Sequence, residues 1–126
     1  MIDRGYARSA CVAALVGLSG FGGTAFAHHS FAMFDNTKNI TLSGTVREFQ
    51  FTNPHCFIEL LVPSSKGGPP VEWSIEMGAP AHLVGTGWKK DTIKPGDKIT
   101  VVFHPLKSGA IGGSFVSATD ANGKKL

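Results

Sequence analysis

The sequence predicts an all-β fold, a small five-stranded barrel with one short helix, and three observations carry that reading. Five segments alternate apolar and polar residues with period two. A short helical signal separates the third from the fourth, and the first changes its apolar parity partway along. The order β-β-β-α-β-β is that of the five-stranded OB-type barrel. An open five-stranded sheet shares the order, but a bent first strand is what a closed barrel needs to pass from one side of the sheet to the other.

The first predicted strand is "ITLSGTVREFQF", 40–51, in which Leu42, Gly44 and Val46 share one face while Phe49 and Phe51 fall on the opposite parity. A strand of period two cannot do this without slipping by one residue, so a bulge is expected near Arg47 and Glu48. "NPH" then marks a turn, because Pro54 lacks an N–H and biases Asn53 towards extended backbone. In "HCFIELLV" the residues Cys56, Ile58, Leu60 and Val62 form the apolar face, with His55, Phe57, Glu59 and Leu61 on the other. "PSSKGGPP" is a loop by composition. "VEWSIEM" places Val71, Trp73, Ile75 and Met77 inward and Glu72, Ser74 and Glu76 outward.

"GAPAHLVGTGW" supplies the short helix, with Pro80 suited to its first turn and Gly85 or Gly87 to its end. "KPGD" reads as a β-turn in which Gly96 takes the position that needs positive φ. "KITVVFH" and "GSFVSATD" are the last two strands, and Asn122-Gly123 is a tight-turn signal near the end.

Upstream of the barrel, Arg4 and Arg8 precede a run, 10–27, that carries no charge and centres on "ACVAALVGL". Ala25 and Ala27 complete a small-x-small cleavage site, so residues 1–27 are expected to be a secretory signal peptide. A membrane anchor needs roughly 20 mostly apolar residues, and Gly17, Gly20, Gly22 and Gly23 suit this segment poorly to that role. A lipid anchor is disfavoured as well, since "ARSA" before Cys11 is not a Leu-x-small-Cys box. The expected organisation is a signal peptide at 1–27, a leader at 28–39 and an OB-like barrel domain at 40–126, exported to the periplasm or secreted, without a stable membrane anchor after cleavage.

Cleavage would leave 99 of the 126 residues, one small domain with a modest core. It removes Arg4, Arg8 and Asp3, so the formal net charge falls from +3 to about +2. Lys89-Lys90 and Lys124-Lys125 are short pairs rather than a basic stripe, which argues against nucleic acid as a partner. Cys56 would be the remaining cysteine, so no internal disulfide is expected in the processed chain.

The set "AHHSFAMFD", "GTVREFQFTNPH", "EWSIEMGAP", "GWKKDTIKPGDKITV" and "DANGK" resembles a family of small exported bacterial proteins classed as a domain of unknown function. The resemblance spans roughly 28–124 and implies an exported, single-domain β protein of OB-like type. It implies no catalytic residue, and Cys56 directly after "NPH" departs from the aliphatic or small residue usual there.

Processing would make His28 the amino terminus. Its α-amino nitrogen and Nδ1 can close a chelate ring, and a third imidazole completes an N₃ set of the kind that suits Cu(II). The α-amino group has a reference pKa near 8, so a metal can displace its proton at neutral pH. His29 adds an imidazole and Met33 a thioether for Cu(I). The remote ligand is expected from His55, at a Pro turn off the apolar face, or from His104 beside Pro105; spacing does not rank the two. His82 reads as a helix-surface residue, and Cys56 as a small buried apolar residue rather than a copper thiolate. The plain reading of the leader is that its histidines are solvated and that Phe31 and Phe34 pack on the barrel.

No G-x-S-x-G, H-E-x-x-H or phosphate-cradling glycine motif is present, and Glu59, Glu72 and Glu76 sit at outward parity, where charges are usually solvated. The enzyme reading is weak. The sequence therefore suggests a binding module for a protein or small-molecule partner, with exposed rim aromatics such as Phe57 and Trp88 making the contact. Its alternative is a copper-binding protein using His28 and His29 with His55 or His104.

Overall fold

In a computed structural model the described residues are 31–126. Their elements are β1 (Ile40–Gln50), β2 (Phe57–Val62), β3 (Val71–Glu76), the helix α1 (Pro80–Gly85), β4 (Lys98–Pro105) and β5 (Gly112–Asp120), preceded by a 3-10 turn at Phe31–Met33. The strands close into a barrel in the order β1-β2-β3-β5-β4, with β1 paired to β4. All pairings are antiparallel except β3 with β5, which run parallel over Ser74↔Gly112, Ile75↔Gly113 and Glu76↔Ser114. This is the predicted element order in an OB fold.

The bend in β1 lies where the parity change placed it. Val46 pairs with Leu60 and Glu48 with Glu59, leaving Arg47 as the extra residue of a bulge. Val46 also exchanges backbone hydrogen bonds with the "KPGD" turn, its N–H donating to the Asp97 carbonyl and its carbonyl accepting from Gly96, both at 2.8 Å. The bulge at Arg47 and the tie at Val46 are therefore adjacent, so the turn before β4 is fixed to β1 where the strand bends.

The interior is filled by Val46, Ile58, Leu60, Ile75, Val101 and Phe103, each at most 1 % exposed. Such side chains contribute roughly 1.5–3 kcal/mol apiece on burial. Cys56 is sealed in the same core, where burial pushes its thiol pKa up despite a weak contact to the Thr52 carbonyl. Trp73, read as inward-facing, is half-buried with its ring centroid 5.4 Å from that of Phe103.

The helix begins with Pro80 in its first turn. It ends at Thr86, whose N–H and hydroxyl both donate to the Leu83 carbonyl, followed by Gly87 at φ +97°. That left-handed residue turns the chain so that the Trp88 N–H also reaches the Leu83 carbonyl, at 3.0 Å.

The described part of the leader docks. Phe34 is 4 % exposed and bridges to Leu106. Asp35 N–H donates to the Pro105 carbonyl at 2.8 Å, and Lys107 N–H to the Met33 carbonyl at 2.9 Å. Phe34 packs as expected of a leader aromatic, whereas Phe31 stays 72 % exposed. The expected signal peptide and the metal candidates His28 and His29 lie outside the described residues. Among the described residues no helix is long and apolar enough to cross a membrane.

Candidate functional site

A cleft of about 660 Å³ opens where α1 meets the end of β3 and the first half of β5. Its volume falls within the range of roughly 300–1,000 Å³ usual for small-molecule sites. Met77, Leu83, Trp88 and Phe115 supply apolar lining, while His55, Glu76, His82, Ser114, Ser117 and Lys125 supply polar groups. Phe31 and Val116 also line it, and both are exposed.

Strand pairing explains why these residues meet. Across the outer face of the barrel, Phe57 on β2 lies opposite Glu76 on β3, Glu76 opposite Ser114 on β5, and Ser114 opposite His104 on β4. The parallel β3–β5 pairing brings residues some 40 positions apart in sequence to one wall, and α1 folds over the β3 end as the other.

His55 comes from the turn before β2, whose Asn53–Pro54 peptide is cis. Its Nδ1 is hydrogen-bonded to Glu76 Oε1. A carboxylate can only accept, so Nδ1 carries a proton and donates it to Glu76. The neighbouring Cys56 faces the core, so this histidine and this cysteine do not share a site.

His82, read from sequence as a helix-surface residue, is exposed but also lines the cleft. Its ring lies over Gly78, where an added Cβ would sit 2.9 Å from His82 Cδ2. A legible signal for this was the glycine four residues before the histidine at a Pro-started helix.

Three expectations change, those for Trp88, Glu59 and Phe57. Trp88 is 4 % exposed, held between Phe49 and Phe115 at ring distances of 5.7 and 5.5 Å, so it forms cleft floor rather than an exposed contact surface. Glu59, expected to be solvated, is 8 % exposed and accepts from the Ser74 hydroxyl at 3.0 Å. Gln50 Nε2 approaches the same oxygen at 3.4 Å, so outward parity here leads into a polar network and not into water. His104 is not gathered with His55: its Nδ1 bonds the Lys38 carbonyl at 2.8 Å, which fastens the leader. Phe57 is half-buried outside the cleft, and Met33 is 36 % exposed.

A family described as "Family of unknown function (DUF6152)" matches residues 15–115. No curated protein matches the sequence. Among solved structures, the mitochondrial single-stranded DNA-binding protein of S. cerevisiae is similar in fold, with a TM-score of 0.51 and 8 % identity over 67 % of this chain and 93 % of that chain. Its selenomethionine-labelled crystal structure gives 0.49 and 9 %, over 66 % and 92 %. Identity this low shows a shared OB fold and nothing about ligands, because function resides in sites that vary on a common fold.

Proposed function

The chain belongs to the DUF6152 family of unknown function, and we propose that it is an exported binding module whose ligand occupies the cleft beside α1. The observation that carries this reading is the cleft's composition. An apolar floor of Met77, Leu83, Trp88 and Phe115 stands beside a few polar groups, His55, Glu76, His82 and Lys125, a combination suited to holding and orienting a small molecule. Export follows from the signal-peptide grammar of residues 1–27.

The test uses 8-anilinonaphthalene-1-sulfonate, whose apolar rings suit the floor and whose sulfonate suits Lys125. Saturable binding that shifts the amide resonances of residues 77–83 and 114–117, with the rest of the spectrum unchanged, is the expected result. Absence of saturable binding, or shifts centred elsewhere, would remove the cleft as the ligand site.

A second reading is copper capture by a processed His28 terminus, with His29 and His55. What favours it is that Phe31, the first described residue, lines the same cleft as His55. Three residues of chain reach at most about 11 Å. One extra residue ahead of His28 should then lower Cu(II) affinity sharply, and an unchanged affinity would refute the amino-terminal chelate.

A further inference from the structure

We propose that the ligand of the cleft is a short extended peptide. It pairs its backbone with an uncovered stretch of the β5 edge at residues 115–117, rests an apolar side chain on the floor and turns a carboxylate to Lys125. The proposal rests on the reading of the cleft as the ligand site and names the class of ligand.

The first observation is where the partners of β5 stop. On the edge away from β4, β3 pairs with Gly112, Gly113 and Ser114 and reaches no farther than Glu76. There the β3 chain turns towards β2: Met77 N–H donates to the Cys56 carbonyl at 2.8 Å and Cys56 N–H to the Gly78 carbonyl at 3.0 Å, before α1 begins. Farther along the same edge the C-terminal segment takes over. Leu126 N–H donates to the Ala118 carbonyl at 3.0 Å, Asp120 N–H to the Lys124 carbonyl at 2.9 Å, and Thr119 bridges Lys125. Residues 115–117 lie between the two pairings.

The second observation is a bulge in the middle of this stretch. Ser117 pairs with Val102 and Phe115 with Phe103, so Val116 is the extra residue on β5, and it is 42 % exposed. Bulges recur beside binding sites, where they end pairing and re-aim side chains. An uncovered strand edge presents backbone donors and acceptors, and an extended chain is the ligand that satisfies them. Three residues of strand span about 10 Å, so the edge takes a segment of only a few residues.

The third is what surrounds the edge. Phe115, Val116 and Ser117 line the cleft together with Glu76, the last β3 partner, and Lys125 of the C-terminal segment, so the cleft is the opening in the barrel seam. A strand sends alternate side chains to opposite faces, so one residue in two of a peptide laid here turns to the floor of Met77, Leu83 and Trp88. The charge of the lining selects the rest. Glu76 is taken up by His55, whereas Lys125 has no ion-pair partner among the described residues, which suits a carboxylate on the peptide.

The test offers the isotope-labelled protein a pool of four-residue peptides, each with an apolar and an acidic residue, either blocked at both ends or free at the carboxyl end. Saturable shifts at residues 77–83 and 115–117, with slowed amide exchange within 115–117, are expected. Methylating single backbone nitrogens of the best peptide should weaken it about fivefold to tenfold, the factor for one lost hydrogen bond. The loss should fall at alternate positions, because successive N–H groups of a strand point to opposite edges. This readout changes the peptide and leaves the protein's fold untouched. Lys125→Gln should weaken acidic peptides about threefold, as for a partly exposed ion pair, and leave neutral ones unchanged. A preference for free-ended peptides assigns the carboxylate to a chain terminus, and equal binding assigns it to the acidic side chain; either supports the proposal. Parent-like binding by every methylated analogue, shifts centred elsewhere, no saturable peptide in the pool, or a peptide-free dimer formed through residues 115–117 would overturn it. If the naphthalene sulfonate still maps to residues 77–83 and 114–117 while peptides fail, the peptide reading alone falls; if both fail, the cleft falls with it.

Discussion

His55 and His104 stand at the two ends of one row on the outer face of the barrel, with Glu76 and Ser114 between them, and their rings serve different ends. The row His104, Ser114, Glu76 crosses three neighbouring strands, and His55 completes it through its bond to Glu76. His104 gives its Nδ1 to the Lys38 carbonyl and fastens the leader to β4. His55 gives its Nδ1 to a carboxylate and faces a cleft. Surroundings account for the difference: either acceptor fixes the orientation of a ring, but His55 lines the cleft and His104 does not.

The largest way to break the contrast is to remove the cleft floor. Trp88→Ala deletes a buried indole packed on Phe49 and Phe115. It should cost about 3–5 kcal/mol, read by denaturant unfolding, and abolish naphthalene sulfonate binding. On the fastener side, Gly113→Ala would put a Cβ 2.5 Å from the His104 carbonyl oxygen and closer still to Phe103 Cδ2. Overpacking of this kind costs about 1–3 kcal/mol, and the residue opposite, Pro105, should shift with β4. His104→Ala removes one hydrogen bond and should cost about 1 kcal/mol, with faster amide exchange at Asp35 and Lys107 and no change at the cleft.

Much of this architecture was readable from residue order. The bulge at Arg47 was legible because Val46 and Phe49 lie on opposite parities, and the helix because Pro80 and Gly87 bracket it. Period two reports which side of the sheet a residue faces, however, and not what covers that side. Glu59 faces outward and is still enclosed by Ser74 and Gln50, and Trp88 follows a turn where no period applies. The cleft was illegible for a related reason. It depends on the parallel β3–β5 contact, a long-range pairing with no local signature. The equal standing of His55 and His104 had the same cause, because each acquires its meaning from an acceptor far away in sequence.

Two smaller effects sharpen the contrast. Gly78→Ala should hardly alter stability, since His82 is exposed and its ring can swing away, but it should move the His82 resonances and weaken naphthalene sulfonate binding in the cleft that His82 lines. The leader should show the mildest response, to acid. Hydrogen bonds from the Thr37 hydroxyl and then the Thr37 amide hold the Asp35 carboxyl below its ordinary value of 3.8, with a lesser contribution from Lys38. A depressed carboxyl stabilises the folded state above its ordinary pKa and loses that contribution as pH falls through the lowered value. Exchange at the Asp35 and Lys107 amides should therefore quicken below that pH, and Asp35→Asn should remove the dependence.

The most direct measurement is a hydrogen–nitrogen correlation spectrum of the protein titrated with 8-anilinonaphthalene-1-sulfonate. The account predicts saturable shifts centred on residues 76–83 and 114–117, with Lys38 and the β1–β4 seam spared. Shifts centred on His104 and Lys38, or no saturable shift at all, would contradict it.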